Sequence, residues 1–196
     1  MKLDLVHDVQ TAYRKVLDCV SKPGTINSLQ PESEKLELPL ACYKATLLLM
    51  LMFLDTEVSF HVLGHHHEKT ARYISQLTYA KVAPLSDADF VFVLRERNPH
   101  DFTRAVSASR LGDLINPHRS ATVVVEVETI TPSKELALTG PGIQDENHIA
   151  IVTDTDFVPL RADKNVEYPL GIEMCFIDDS HNLLILPRTT TITRMR

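Results

Sequence analysis

Residues 57–63, EVSFHVL, and residues 89–94, DFVFVL, are short runs rich in β-branched and aromatic side chains, the composition of strands. Residues 68–79 between them suit a helix, and another helix is expected near residues 99–109, ahead of the apolar run Val123, Val124, Val125. Strand, helix, strand, helix, strand is the alternation that builds a sheet covered by helices, so the expected fold class is α/β. Upstream, Val9, Ala12, Tyr13, Val16, Leu17 and Val20 recur at the spacing of one face of an amphipathic helix. Asp8 is placed to cap its first turn. Lys22-Pro23-Gly24 should end it, because proline cannot extend the hydrogen-bond ladder and glycine accepts the backbone angles of a helix exit. A further helix over residues 39–54 is apolar nearly all round and belongs in the interior.

Beyond residue 120 the pattern changes to strands joined by turns: residues 121–129, 135–139, 173–178, 182–186 and 190–194. Asp178-Asp179-Ser180-His181 reads as a hairpin turn, and hairpins pair antiparallel, so the sheet flanked by helices should be mixed. Residues 154–168 are weakly periodic and contain Pro159, which predicts a long surface segment ordered by a partner. Residues 141–180 carry nine acids against Arg161 and Lys164, a balance of −7 that suits a solvated or docking face. No repeat or glycine- and serine-rich linker divides the chain, so one domain over residues 1–196 is expected.

Composition narrows the function classes. With 196 residues, 44% hydrophobic and 23% charged, the chain is an ordinary globular protein rather than a disordered or fibrous one. Twenty basic against twenty-six acidic side chains give −6, which repels phosphate backbones and argues against a nucleic-acid partner. Cys19, Cys42 and Cys175 lie far apart in apolar stretches, and an odd set points to reduced, buried thiols. Asp4 and Asp8 interrupt the N-terminal stretch where a secretion signal would be uncharged. The greasiest run, LLLMLMFL at residues 47–54, falls short of the roughly 20 residues a membrane span needs. A cytoplasmic protein without a membrane partner is expected.

No motif supplies a self-sufficient reaction centre. His65-His66-His67, with His61 before them, offers imidazoles, but successive helical side chains diverge and no H-E-x-x-H or cysteine pair completes a shell, so no metal is assigned. Neither a Walker loop nor a dinucleotide fingerprint can be assembled from the six glycines, and there is no G-x-S-x-G elbow. Thr139-Gly140-Pro141-Gly142-Ile143 reads as a rigid turn setting its flanking strands. Arg188, between Pro187 and Thr189, Thr190 and Thr191, could converge with those hydroxyls on a phosphate or carboxylate, and Lys22 is a weaker candidate for the same clamp. No catalytic residue and no cofactor are assigned.

Several of these pieces together resemble the PhnH family, a subunit of the bacterial carbon-phosphorus lyase machinery for phosphonate use. The resemblance rests on Asp8-x-Gln10-x-x-Tyr13-Arg14 with Ser21-Lys22-Pro23-Gly24-Thr25-Ile26, on Leu138-Thr139-Gly140-Pro141-Gly142-Ile143, on Tyr168-Pro169-Leu170-Gly171-Ile172-Glu173, and on Leu186-Pro187-Arg188-Thr189-Thr190. These span nearly the whole chain. Tyr13 and Tyr168 stand where the family often has phenylalanine, and the histidine triplet is not a family feature. The resemblance implies an assembly with PhnG, PhnI and PhnJ subunits. There, ATP is coupled to a phosphonate with loss of adenine, giving a ribose 1-phosphonate 5-triphosphate, before a radical iron-sulfur subunit cleaves the carbon-phosphorus bond. It also implies a shortened pyridoxal-phosphate transferase core lacking that cofactor's binding residues, homodimers when isolated, and structural roles for the motif residues. The competing readings are a stand-alone enzyme or binding protein for a phosphorylated or phosphonylated ligand, and a metal-binding or redox protein using the histidines.

Overall fold

Along the central strands the side chains alternate between two buried faces, which is why these runs are apolar throughout rather than every second residue. A computed structural model describes residues 4, 6–37 and 40–195. In chain order the elements are α1 (His7–Ser21), β1 (Asn27–Ser28), α2 (Gln30–Ser33), α3 (Lys44–Phe53), β2 (Ser59–Leu63), α4 (His67–Thr78), β3 (Lys81–Val82), β4 (Phe90–Val93) and α5 (Asp101–Ala108). A 3-10 turn (Pro117–Arg119) then leads to β5 (Thr122–Glu126), β6 (Thr129–Thr139), β7 (Asn147–Val152), α6 (Phe157–Lys164), β8 (Glu173–Ile177), β9 (Asn182–Leu186) and β10 (Thr191–Arg194).

The main sheet has the order β1-β9-β8-β5-β4-β2-β3. Strands β8, β5, β4, β2 and β3 are parallel, whereas β9 runs antiparallel to both β8 and β1. Phe92, Val124 and Cys175 face one core with Ala12 and Val16 of α1, Leu48 of α3 and Ile74 of α4. Val91, Val93, Val123, Val125, Met174 and Phe176 face the other, with Phe102 of α5, Phe157 of α6, and Leu138 and Ile149 of a small second sheet. The fold is thus an α/β sandwich around a mixed sheet. Among the described residues no helix is long and apolar enough to cross a membrane.

Several expectations need correction. Residues 190–194 and 135–139 do not join the main sheet. They form, with β7, a separate antiparallel sheet in the order β10-β6-β7. The expected strand over 121–129 stops at Glu126, and Thr129 already belongs to β6, which slips register between Thr131 and Leu136. Residues 154–168 are not a long loop, since α6 occupies their middle and buries Phe157 and Arg161. Proline at residue 159 is tolerated there because a first-turn amide has no intrahelical partner to lose. Asp8 does not cap α1, being already inside the helix. The capping oxygen is Asp4 Oδ1, which accepts the amides of Val6 and His7 at 2.8 and 3.0 Å. The interior helix begins at Lys44, and the expected start at residue 39 lies outside the described residues. Its residues Ala45 to Met50 are buried. All three cysteines are free, but Cys42 is only half-buried, in contrast to Cys19 and Cys175.

Candidate functional site

The short motifs singled out in the sequence meet at two glycine-mediated contacts. In the turn between β6 and β7, Gly142 (φ +85°) abuts the Ser21 carbonyl and Pro23 at the end of α1, while Gly140 (φ +133°) lies against the backbone of Thr189 and Thr190. A side chain at either position would collide with backbone, so these glycines serve close approach rather than phosphate cradling. Asn147 Nδ2 donates to the Pro23 carbonyl at 2.7 Å, closing the first contact. Gly171 packs on Asn165 and on Arg188 Cβ, and Asn165 donates to the Ile172 and Arg188 carbonyls while accepting the Ile172 amide. Beneath the second contact lies Arg161, with Nη1 donating to the Thr190 carbonyl at 2.9 Å and Nη2 to the Pro187 carbonyl at 2.6 Å. Burial pushes this guanidinium down to about 10, against the pull of Glu173.

Of the residues expected to clamp an anion, Arg188 and Lys22 are engaged by the chain's own groups, whereas the buried Thr190 hydroxyl has no hydrogen-bond partner among the described residues. Arg188 Nη1 donates to the Pro117 carbonyl at 2.6 Å and to Ser120 Oγ at 2.7 Å, and Nε lies 3.5 Å from Glu173 Oε1. Thr190 is buried and Thr189 half-buried. Lys22 Nζ pairs with Asp18 Oδ1 at 2.8 Å, whereas the Arg188 guanidinium binds Pro117, Ser120 and Glu173, so among the described residues no shared partner brings the two together. Of the remaining motif residues, Asp8 accepts Lys35 Nζ at 2.7 Å, Gln10, Arg14 and Thr139 are exposed, Pro23 is buried, and Pro169 and Pro187 are half-buried.

In an open α/β sheet, ligands bind beyond the carboxyl ends of the parallel strands. Here that edge holds a polar network that sequence reasoning missed. Glu126, ending β5 and 1% exposed, accepts the Tyr43 and Arg95 amides at 2.7 Å each and so ties the start of α3 to the loop after β4. Burial pushes its carboxyl up, opposed by these amides and by Arg97. Arg97 donates to the Leu94 and Glu126 carbonyls at 3.0 and 2.9 Å and to Asp154 Oδ1 at 2.6 Å, and its guanidinium lies 5.6 Å from the centre of the Phe102 ring. Asp178, just after β8, accepts the Ile130 and Asn182 amides at 3.1 and 2.8 Å. The available signal was an acid closing an otherwise apolar strand, Thr122-Val123-Val124-Val125-Glu126.

The histidine triplet sits at the same edge, with His65 and His66 in the turn after β2 and His67 opening α4. All three are exposed, the His65 amide donates to the Glu96 carbonyl at 2.7 Å, and His67 Nδ1 is 2.9 Å from the Gly64 carbonyl. Among the described residues no three His, Cys, Asp or Glu side chains are grouped to hold a metal ion.

The model of the PhnH family, bacterial phosphonate metabolism protein, matches residues 3–193. A protein of Rhizobium meliloti (strain 1021) described as alpha-D-ribose 1-methylphosphonate 5-triphosphate synthase subunit PhnH is 30% identical over 193 residues, 97% of this chain and 93% of that one. One of Stutzerimonas stutzeri, with the provisional title C-P lyase subunit protein HtxG, is also 30% identical, over 185 residues, 93% of this chain and 85% of that one. A match of this extent, across both glycine-mediated contacts and the whole α/β core, establishes that the chain belongs to the PhnH family of bacterial phosphonate metabolism proteins.

Proposed function

We propose that the chain is a non-catalytic subunit of a carbon-phosphorus lyase assembly in organic phosphonate catabolism. It would support the step that joins a phosphonate to the ribose of ATP with loss of adenine. The observation that carries this reading is the family match over residues 3–193, taken with the engagement of Glu126, Arg97, Arg161 and Arg188 by the chain's own backbone. A carboxylate or guanidinium engaged this way by backbone groups holds a shape rather than a reacting atom, although the buried Nε atoms of Arg97 and Arg161 have no partner among the described residues.

Subunits of the PhnG, PhnI and PhnJ types are the partners this reading names, with a homodimer as the form of the isolated chain and the cytoplasm as its place. Support for docking comes from Leu114, Ile115, Val166 and Tyr168, all at least two-thirds exposed on loops that meet where Lys164 Nζ donates to the Ser109 carbonyl. Large aromatic and aliphatic side chains held out on tethered loops suit a protein partner better than water. The chain acts as one domain, and its mixed sheet with helices on both faces accommodates the likeness to a shortened pyridoxal-phosphate transferase core.

The test is turnover. The purified chain incubated with ATP and methylphosphonate should release no adenine, while the reconstituted assembly should release it and lose that activity when this chain is left out. Adenine release by the chain alone, or full activity without it, refutes the proposal.

A further inference from the structure

Strands β2 and β4 are adjacent and parallel, yet their following helices leave to opposite sides. Helix α4 packs Ala71 and Ile74 into one core and α5 packs Phe102, Ala105 and Val106 into the other. This divergence is the topological switch point of a doubly wound sheet, the place where such folds bind ligands. At this point α4 begins. It has twelve residues, its first turn receives no side-chain cap, and the Glu68 and Lys69 amides have no hydrogen-bond partner among the described residues. Unmatched amides at the positive end of a helix attract anions.

Two further observations point to a ligand there. A cavity of about 290 Å³ opens at the helix start, lined by Leu40, Ala41, His66, Lys69 and Thr70. Thr70 is fully buried, and its hydroxyl has no hydrogen-bond partner. A buried, unmatched hydroxyl costs stability unless something completes it. Lys69 adds a mobile positive charge and His66 a ring that can donate. Two acids lie beside it: Glu68 in the first turn, and Glu96, whose carboxylate is 3.8 Å from His66 Nε2 and 67% exposed.

We propose that the amino end of α4 is a binding site for a tetrahedral oxyanion, a phosphate or phosphonate group, held by the Glu68 and Lys69 amides, the Lys69 ammonium, His66 and the Thr70 hydroxyl. The cavity lies at the small end of ligand pockets, which suits an oxyanion with a small substituent. The site is separate from Arg188 and Lys22, and it stands on geometry alone, independent of the subunit reading.

The experiment is an amide-resolved NMR titration of the isolated chain with inorganic phosphate and, separately, with methylphosphonate. The Glu68 and Lys69 resonances should shift saturably. Lys69→Gln should weaken binding roughly tenfold, as expected for loss of a charge-assisted contact. Thr70→Val should weaken it several-fold, on the order of one hydrogen bond, while melting at or above the parent temperature, because it removes an unmatched hydroxyl. Methylphosphonate binding at least as tight as phosphate assigns a monosubstituted oxyanion, and preference for phosphate assigns the free inorganic ion. Absence of saturable shifts at Glu68 and Lys69 with either ligand, or unaltered affinity in Lys69→Gln, overturns the site.

Discussion

Replacing Gly140 by alanine tests the contact between the β6–β7 turn and the segment after β9. An added Cβ would lie 2.8 Å from the Thr189 carbonyl oxygen and 3.4 Å from Thr190 Cα, both backbone atoms that can yield only if the segment moves. A residue with a side chain also resists φ +133°, a strain of about 1–3 kcal/mol. Overpacking against backbone adds about 1–3 kcal/mol, so the variant should lose about 2–6 kcal/mol. For a chain of this size that corresponds to a melting temperature lower by roughly 4–24 °C. The assay is thermal and urea denaturation of the purified chain, with Gln144→Ala, exposed in the same connection, as a control expected to stay within about 0.5 kcal/mol. A Gly140→Ala protein as stable as that control would refute the reasoning that these glycines serve close approach.

Arg161→Met should cost about 2 kcal/mol or more, because the Thr190 and Pro187 carbonyls lose their donors in the interior, and urea midpoints will report it. Arg188→Ala should cost about 1–3 kcal/mol by releasing the Pro117 carbonyl and Ser120, yet leave the phosphate titration of α4 unchanged. Loss of phosphate binding with an intact fold would instead restore the clamp at Arg188. Asp89 gives a pH test. Burial works to raise its pKa, but the Ser59 hydroxyl and amide and the Arg110 guanidinium outweigh it and hold the carboxyl below its ordinary 3.8. A depressed folded value means stability present above about pH 4 and lost as pH falls through that value. The stability gap between the parent and Asp89→Asn should therefore narrow as the pH is lowered from 7 to 3, and a constant gap would contradict it.

The α/β core was legible because β2 and β4 are dense in β-branched and aromatic residues and α4 has a clear apolar stripe, signals local to each segment. What escaped depends on distant partners. Strands β1 and β3 are two residues long and exist only because Leu183 and Phe60 lie beside them. Strand β10 looks like any other strand, and nothing local says that it pairs with β6 outside the main sheet. Helix α6 was hidden by Pro159 and by its acidic surroundings, although Phe157 and Arg161 anchor it. The short motifs were visible as motifs, but their meaning as contacts between Gly140 and Thr189, or Gly142 and Ser21, required the tertiary structure. Glu126 and Arg97 look like ordinary charges until the strand ends bring them together.

The most direct measurement is native mass spectrometry of the chain co-expressed and co-purified with PhnG-, PhnI- and PhnJ-type subunits. The account predicts a stoichiometric assembly that contains this chain and dissociates into a core lacking it when Leu114, Ile115, Val166 and Tyr168 are changed to serine. A chain that elutes alone beside a complete assembly of the others would contradict it.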